Sequence, residues 1–190
     1  VNAAIDTGLY FADIDDKTPT IACALETYTQ SQRFLHNFLK GVRANIAPFD
    51  SNDTCDLARV MKTHSPDVIV AETVGNYLGV PVLDVDFALQ SAREQSKKPM
   101  FVLDNTLPLS TGVGMVDRIS PDDNVIVVES GTKSYSFNAE TLGVAYTKNQ
   151  KLLDHLRRYR RTRGDLHGPR SLELIANCLP EDQEAFDERN

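Results

Sequence analysis

Long apolar runs are missing from this 190-residue sequence, and none approaches the roughly 18 residues that a membrane-spanning helix needs. Basic residues are in deficit. Lys and Arg total 20 against 27 Asp and Glu, giving a net charge of −7 and a pI near 5.1, whereas neutralising the phosphates of a nucleic acid needs the opposite balance. The acidity mainly favours solubility. Cys23, Cys55 and Cys178 are odd in number, with no Cys-x-x-Cys and no histidine pair nearby. Neither a disulfide framework nor a zinc site is indicated, no metal is expected, and a reducing, cytoplasmic compartment fits better. Val1-Asn2-Ala3-Ala4-Ile5 lacks the charged and apolar regions of a secretory signal and also lacks a methionine, which fits a piece of something longer. Internal repeats and low-complexity linkers are absent as well.

What is present is an ordinary soluble composition, 41% hydrophobic and 25% charged. A chain of this length buries roughly 70% of its unfolded surface, enough for one core without cross-links. Short β-branched runs alternate with helical patterns. Strands are expected at Thr20–Leu25, Ala44–Pro48, Asp67–Ala71, Pro99–Asp104, Asn124–Glu129 and Leu142–Thr147. Several are continuous apolar runs (Val68-Ile69-Val70, Phe101-Val102-Leu103, Val125 to Val128), as expected of strands covered on both faces. Helices are expected at about Gln30–Arg43, Asp53–His64, Asp84–Gln95 and Lys148–Arg161. The alternation implies an α/β fold of three layers, with helices on both sides of a mainly parallel sheet. Ligands of such sheets sit outside the carboxyl ends of the strands.

Three polar clusters follow apolar strands: Glu72-Thr73-Val74-Gly75-Asn76, Asp104-Asn105-Thr106 and Glu129-Ser130-Gly131-Thr132-Lys133. In a parallel sheet they gather along one edge. A lysine beside Ser and Thr suits an anionic phosphate, and a lysine amine forms imines with aldehydes once its pKa is lowered. An aspartate at a strand end can pair with a protonated ring nitrogen, the partner pyridoxal phosphate needs as an electron sink. Tyr28, after the first strand, could stack on such a ring. Taken singly, each has a plainer reading: a surface lysine, a turn aspartate, a packing tyrosine, a Ser130 hydroxyl that caps the backbone. The run Arg157-Arg158-Tyr159-Arg160-Arg161-Thr162-Arg163 reads as a solvated helix end, its arginines complementing the dipole and pairing with Asp154 and Asp165. His36, His64, His155 and His167 are scattered and take no catalytic role, and Cys23 and Cys178 read as core fillers.

Taken together, Glu72-x-x-x-Asn76, Asp104-Asn105-Thr106 and Ser130-Gly131-Thr132-Lys133 resemble the Cys/Met-metabolism family of pyridoxal-phosphate enzymes, the group of cystathionine γ-synthase, cystathionine lyases and methionine γ-lyase. The order is the family's and the spacing is near it, with a slightly long segment between Asp104 and Lys133, and the resemblance runs from about Tyr28 to Phe186-Asp187-Glu188-Arg189-Asn190. It implies the large domain of a fold type I, aspartate-aminotransferase-like enzyme, with pyridoxal 5'-phosphate as cofactor. It also implies elimination or replacement at the β or γ carbon of a sulfur-containing amino acid, in a homodimer or homotetramer. By resemblance Lys133 is the lysine that condenses with the cofactor aldehyde and carries protons. Asp104 pairs with the pyridine nitrogen, Tyr28 stacks on the ring, and Ser130 and Thr132 lie beside the phosphate. Asn76 lies near the phenolic oxygen and the substrate carboxylate.

Departures accompany the likeness. Tyr77 follows Asn76 where the family usually has Pro, and Ser134-Tyr135-Ser136-Phe137-Asn138 follows Lys133 where a Gly-His pair is usual. The family's Ser-Gly-Met phosphate segment, its N-terminal arm and its arginine-bearing C-terminal small domain have no counterpart in residues 1–190. The resemblance therefore implies the central portion of a large domain. Two other readings compete with an active enzyme: a catalytically incomplete fragment or degenerate relative serving as a structural or dimerisation module, and a nucleotide-phosphate loop at Ser130 to Lys133. The loop ranks last, because a β-branched strand stands where such a loop has glycines.

Overall fold

The structure is a computed structural model, and it describes residues 2–11, 17–41, 44–108, 114–134 and 143–163. In chain order these form α1 (Asn2–Phe11), β1 (Thr20–Ala24), α2 (Thr29–Gly41), β2 (Asn45–Phe49), α3 (Thr54–His64), β3 (Val68–Glu72), α4 (Val85–Glu94), β4 (Met100–Asp104), β5 (Val125–Ser130), α5 (Gly131–Ser134), β6 (Gly143–Tyr146) and α6 (Gln150–Arg163). The expected strands and helices are all present, with ends moved by one or two residues. Asp53 and Asp84, expected inside helices, are instead their caps. Asp53 accepts the Cys55 N–H at 2.9 Å and Asp84 the Phe87 N–H at 3.0 Å, each satisfying a donor that the helix itself leaves open.

One six-stranded sheet runs in the order β2-β1-β3-β4-β5-β6. The first five strands are parallel, and β6 joins β5 antiparallel. β1 therefore leads outward to β2 on one side, and the chain then crosses to β3 on the other. That reversal puts α2 on one face and α3 and α4 on the opposite one, as right-handed crossovers require. It also opens a crevice between the carboxyl ends of β1 and β3, the place where open α/β sheets hold their ligands.

The two faces carry separate cores. On one, Ala22, Ile69, Ala71, Phe101, Leu103 and Val127 pack against Leu57, Val60 and Met61 of α3 and Ala88 and Leu89 of α4. On the other, Ile21, Val70, Val102, Ile126 and Val128 pack against Ala4, Ile5 and Leu9 of α1, Leu35 of α2 and Leu152 of α6. Every residue of β3 is buried, which explains why its sequence is a continuous apolar run closed by one glutamate. β2 is one of the two edge strands, with Asn45, Ile46 and Pro48 exposed, and an edge is where a strand tolerates proline.

Outside the sheet, the turn before β5 is tied to α4 by a two-pronged ion pair. Arg93 donates through Nε to Asp123 Oδ1 at 2.9 Å and through Nη2 to Oδ2 at 2.7 Å, and the Ser120 N–H adds a third bond at 2.7 Å. Asp123 is buried, and the hydrogen bond from Arg93 holds its carboxyl below the usual aspartate range. A depressed folded pKa means that this stabilisation is in place above the unfolded value, about 3.9, and is lost as pH falls below it. We expect Asp123→Asn to lower unfolding free energy at pH 7 by about 1–3 kcal/mol. Denaturant titrations across pH should also show a shallower acid decline below about pH 4 in the variant than in the parent.

Candidate active site

The parallel register aligns Glu72 with Asp104 and Asp104 with Val128. Registered residues share a face, and alternate residues of one strand do too, so Glu72, Asp104 and Ser130 stand on the side covered by α1, α2 and α6. Asp104 is half-buried. Its Oδ1 accepts both the Thr106 N–H at 3.0 Å and the Thr106 hydroxyl at 2.5 Å, while among the described residues Oδ2 has no partner. The Thr106 oxygen in turn accepts the Ser130 N–H at 2.9 Å. One threonine thereby fixes the aspartate and links the end of β4 to the end of β5. The Ser130 hydroxyl takes no partner among the described residues. Thr132 and Lys133 follow on α5, and the Lys133 side chain lies outside the described residues.

The crevice between β1 and β3 is bounded by two loops that meet at Glu72. This buried carboxylate accepts the Tyr28 N–H on Oε1 and, at 3.2 Å, the Asn76 N–H on Oε2. The loops also touch through Gly75. A Cβ there would lie 2.7 Å from Pro81 Cγ and 2.9 Å from Glu26 Cβ, closer than real contacts allow. The Tyr28 side chain is 41% exposed, so it does not serve as core packing. Asn76 is exposed as well. Cys23 sits on the same face at the end of β1; burial, with added repulsion from Glu72 and Glu26, pushes its thiol up to about 11. It is neutral at physiological pH and fills the core, as expected, whereas Cys178 lies outside the described residues.

A second polar layer occupies the opposite face. The Thr73 hydroxyl donates to Asn105 Oδ1 at 2.9 Å, Asn105 Nδ2 donates to Glu129 Oε1 at 3.0 Å, and the Tyr146 hydroxyl donates to the same oxygen at 3.0 Å. Thr73, Asn105 and Glu129 are all buried, so the chain of bonds compensates for their removal from water.

The residues singled out in the sequence thus fall at one sheet edge, in two groups. Asp104 and Ser130 belong to the β4–β5 group, with Thr132 and Lys133 just beyond, and Tyr28 and Asn76 flank the β1–β3 crevice. Two contributors were not assigned from the sequence. Glu72 was visible as the polar close of a buried strand, and Thr106 as the last residue of Asp-Asn-Thr, but each has one partner far along the chain, 44 residues away for Glu72 and 24 for Thr106. The arginine-rich end of α6 is exposed, with Arg157 and Asp154 at 3.9 Å, in keeping with a solvated helix end, while Asp165 lies outside the described residues.

A profile of the Cys/Met metabolism PLP-dependent enzymes matches residues 6–179, nearly the whole chain. The chain belongs to that family. No curated protein matches it. Among solved structures it resembles cystathionine gamma synthase from Xanthomonas oryzae pv. oryzae in two crystal structures. One is in complex with cystathionine (TM-score 0.71, 22% identity), the other with aminoacrylate and cysteine (0.70, 21% identity). Each likeness covers 94% of this chain and 44% of the other, so the chain spans less than half the length of the structures it matches. The shared architecture is the fold type I arrangement expected for a Cys/Met metabolism enzyme.

Two substitutions probe the geometry. Thr106→Val keeps the shape but strips the Ser130 N–H of its acceptor and Asp104 of a donor. It should cost about 1–3 kcal/mol in denaturant unfolding, and Thr106→Ser should restore most of it. Gly75→Ala forces Pro81 or the Glu26 loop to move, and should lower stability by about 1–3 kcal/mol in the same measurement.

Proposed function

We propose that the protein carrying this chain is a pyridoxal-phosphate enzyme that forms or cleaves a C–S bond. The reaction class is elimination or replacement at the β or γ carbon of a sulfur-containing amino acid such as cystathionine, cysteine, homocysteine or methionine. The observation that carries this is the half-held carboxylate of Asp104. Two donors from Thr106 fix its Oδ1, while Oδ2, without a partner among the described residues, would accept from a single protonated ring nitrogen. The donor set suits the cofactor: a strand-end carboxylate, a half-exposed tyrosine ring, and a Ser/Thr pair followed by a lysine. When bound, pyridoxal phosphate supplies an electron sink for charge developing on substrate carbon.

The chain's own groups then divide the work. Asp104 Oδ2 keeps the ring nitrogen protonated, since an adjacent anion favours the charged form. The Tyr28 ring covers one face of the cofactor. The Ser130 and Thr132 hydroxyls hold the phosphate, and the Asn76 amide orients the phenolic oxygen and the substrate carboxylate. Lys133 supplies the amine for the cofactor aldehyde, and its Nζ moves protons between substrate carbons. No helix among the described residues is long and apolar enough to cross a membrane. A cytoplasmic homodimer or homotetramer, acting on a small amino acid without nucleic acid or membrane, completes the reading.

Absorbance decides it. The full-length protein should show a cofactor band at the edge of the visible, and borohydride should fix the cofactor mass onto the peptide containing Lys133. Lys133→Ala should lose both signals. Absence of the band in the parent, or its survival in Lys133→Ala, would overturn the assignment and leave the structural-module reading.

A further inference from the structure

We propose that Glu72 is a positioning residue, a single buried carboxylate that sets the backbone of Tyr28 and Asn76 at once and so fixes the width of the crevice between β1 and β3. Three observations carry this. Glu72 ends the fully buried strand β3 and is itself only 6% exposed, so its charge is held out of water. Its two oxygens are divided between two loops: Oε1 accepts the N–H of Tyr28, 44 residues earlier, and Oε2 the N–H of Asn76 at 3.2 Å. The loops are pressed together there, since a Cβ on Gly75 would come within 2.9 Å of Glu26 Cβ.

The chemistry selects a carboxylate. Both donors are amides, and only an ionised acid offers an acceptor on each of two oxygens while adding charge to both bonds. Glutamine has the same shape but turns an NH₂ toward one of the two N–H groups. Aspartate keeps the charge but is one methylene shorter, and it cannot reach both loops. Glu72 need not touch a ligand to matter. Moving either amide shifts a residue that, on the function proposed above, meets the cofactor from the face (Tyr28) or at its oxygen edge (Asn76). The inference rests on that function for its effect on the cofactor, but not for the clamp itself.

The experiment uses the full-length protein as parent, Glu72→Gln and Glu72→Asp, with thermal melting run first. In the cofactor-free protein, amide hydrogen exchange is read on peptides spanning Tyr28 and Asn76 and on peptides from β3 and β4. We expect Glu72→Gln to accelerate exchange at Tyr28 or Asn76 about tenfold or more while β3 and β4 keep the parent's rates. Titration with pyridoxal 5'-phosphate should then give a Kd raised about tenfold. Glu72→Asp should behave in the same direction, and it carries the test if Glu72→Gln does not fold. Unchanged exchange at both loops overturns the clamp. Faster exchange spread evenly through β3 and β4 with a lowered melting temperature also overturns it, by making Glu72 a general structural residue. Faster local exchange with an unchanged Kd overturns the positioning role. A parent that takes up no pyridoxal 5'-phosphate overturns the proposed function instead, and the exchange measurement still judges the clamp.

Discussion

Parallel pairing of β3, β4 and β5 is the constraint from which the rest of the structure follows. Side chains alternate along a strand, so sliding β4 by one residue would turn Asp104 to the other face and bring Asn105 to the side of Glu72 and Ser130. Buried apolar residues prevent the slip. Val70, Val102 and Ile126 fill one core and Ala71, Leu103 and Val127 the other, and a shifted strand would have to exchange both sets at once. The apolar strands thereby determine which polar residue faces which layer.

That edge is built as two independent polar layers. On one side Thr106 joins Asp104 to Ser130, and Glu72 joins Tyr28 to Asn76. On the other, Glu129 gathers Asn105 and the Tyr146 hydroxyl, which fastens the antiparallel β6 to the parallel strands. A buried carboxylate is costly unless hydrogen-bonded, and both glutamates meet that condition through partners on different segments. The strand ends are thus held from both faces, and Asp104 sits on a braced edge.

Much of this was legible in the sequence. Continuous β-branched runs marked the buried strands, and the polar residues closing them marked the edge, because burial and parallel pairing leave few other places for such residues. Strand direction was less accessible: Gly143–Tyr146 reads as a strand, but nothing in its residues says that it runs against its neighbour. The roles of Glu72 and Thr106 were hidden for a related reason. Their bonds reach segments distant in sequence, and only the β2-β1-β3 order brings the Tyr28 loop beside Glu72. Likewise Glu129 opens one of the three polar clusters, but the period of β5 turns it to the far face, where it accepts from Asn105 and Tyr146.

The Thr106 hydroxyl has a polarity that the distances alone do not state. A hydroxyl owns one hydrogen, and the Ser130 N–H already points at its oxygen, so that hydrogen is committed toward Asp104. Oδ1 is then an obligate acceptor facing two hydrogens, and a proton placed on it would collide with both. A one-way street of hydrogens, beginning at the backbone of β5, thus makes two chemically identical oxygens different, one committed to Thr106 and the other without a partner among the described residues.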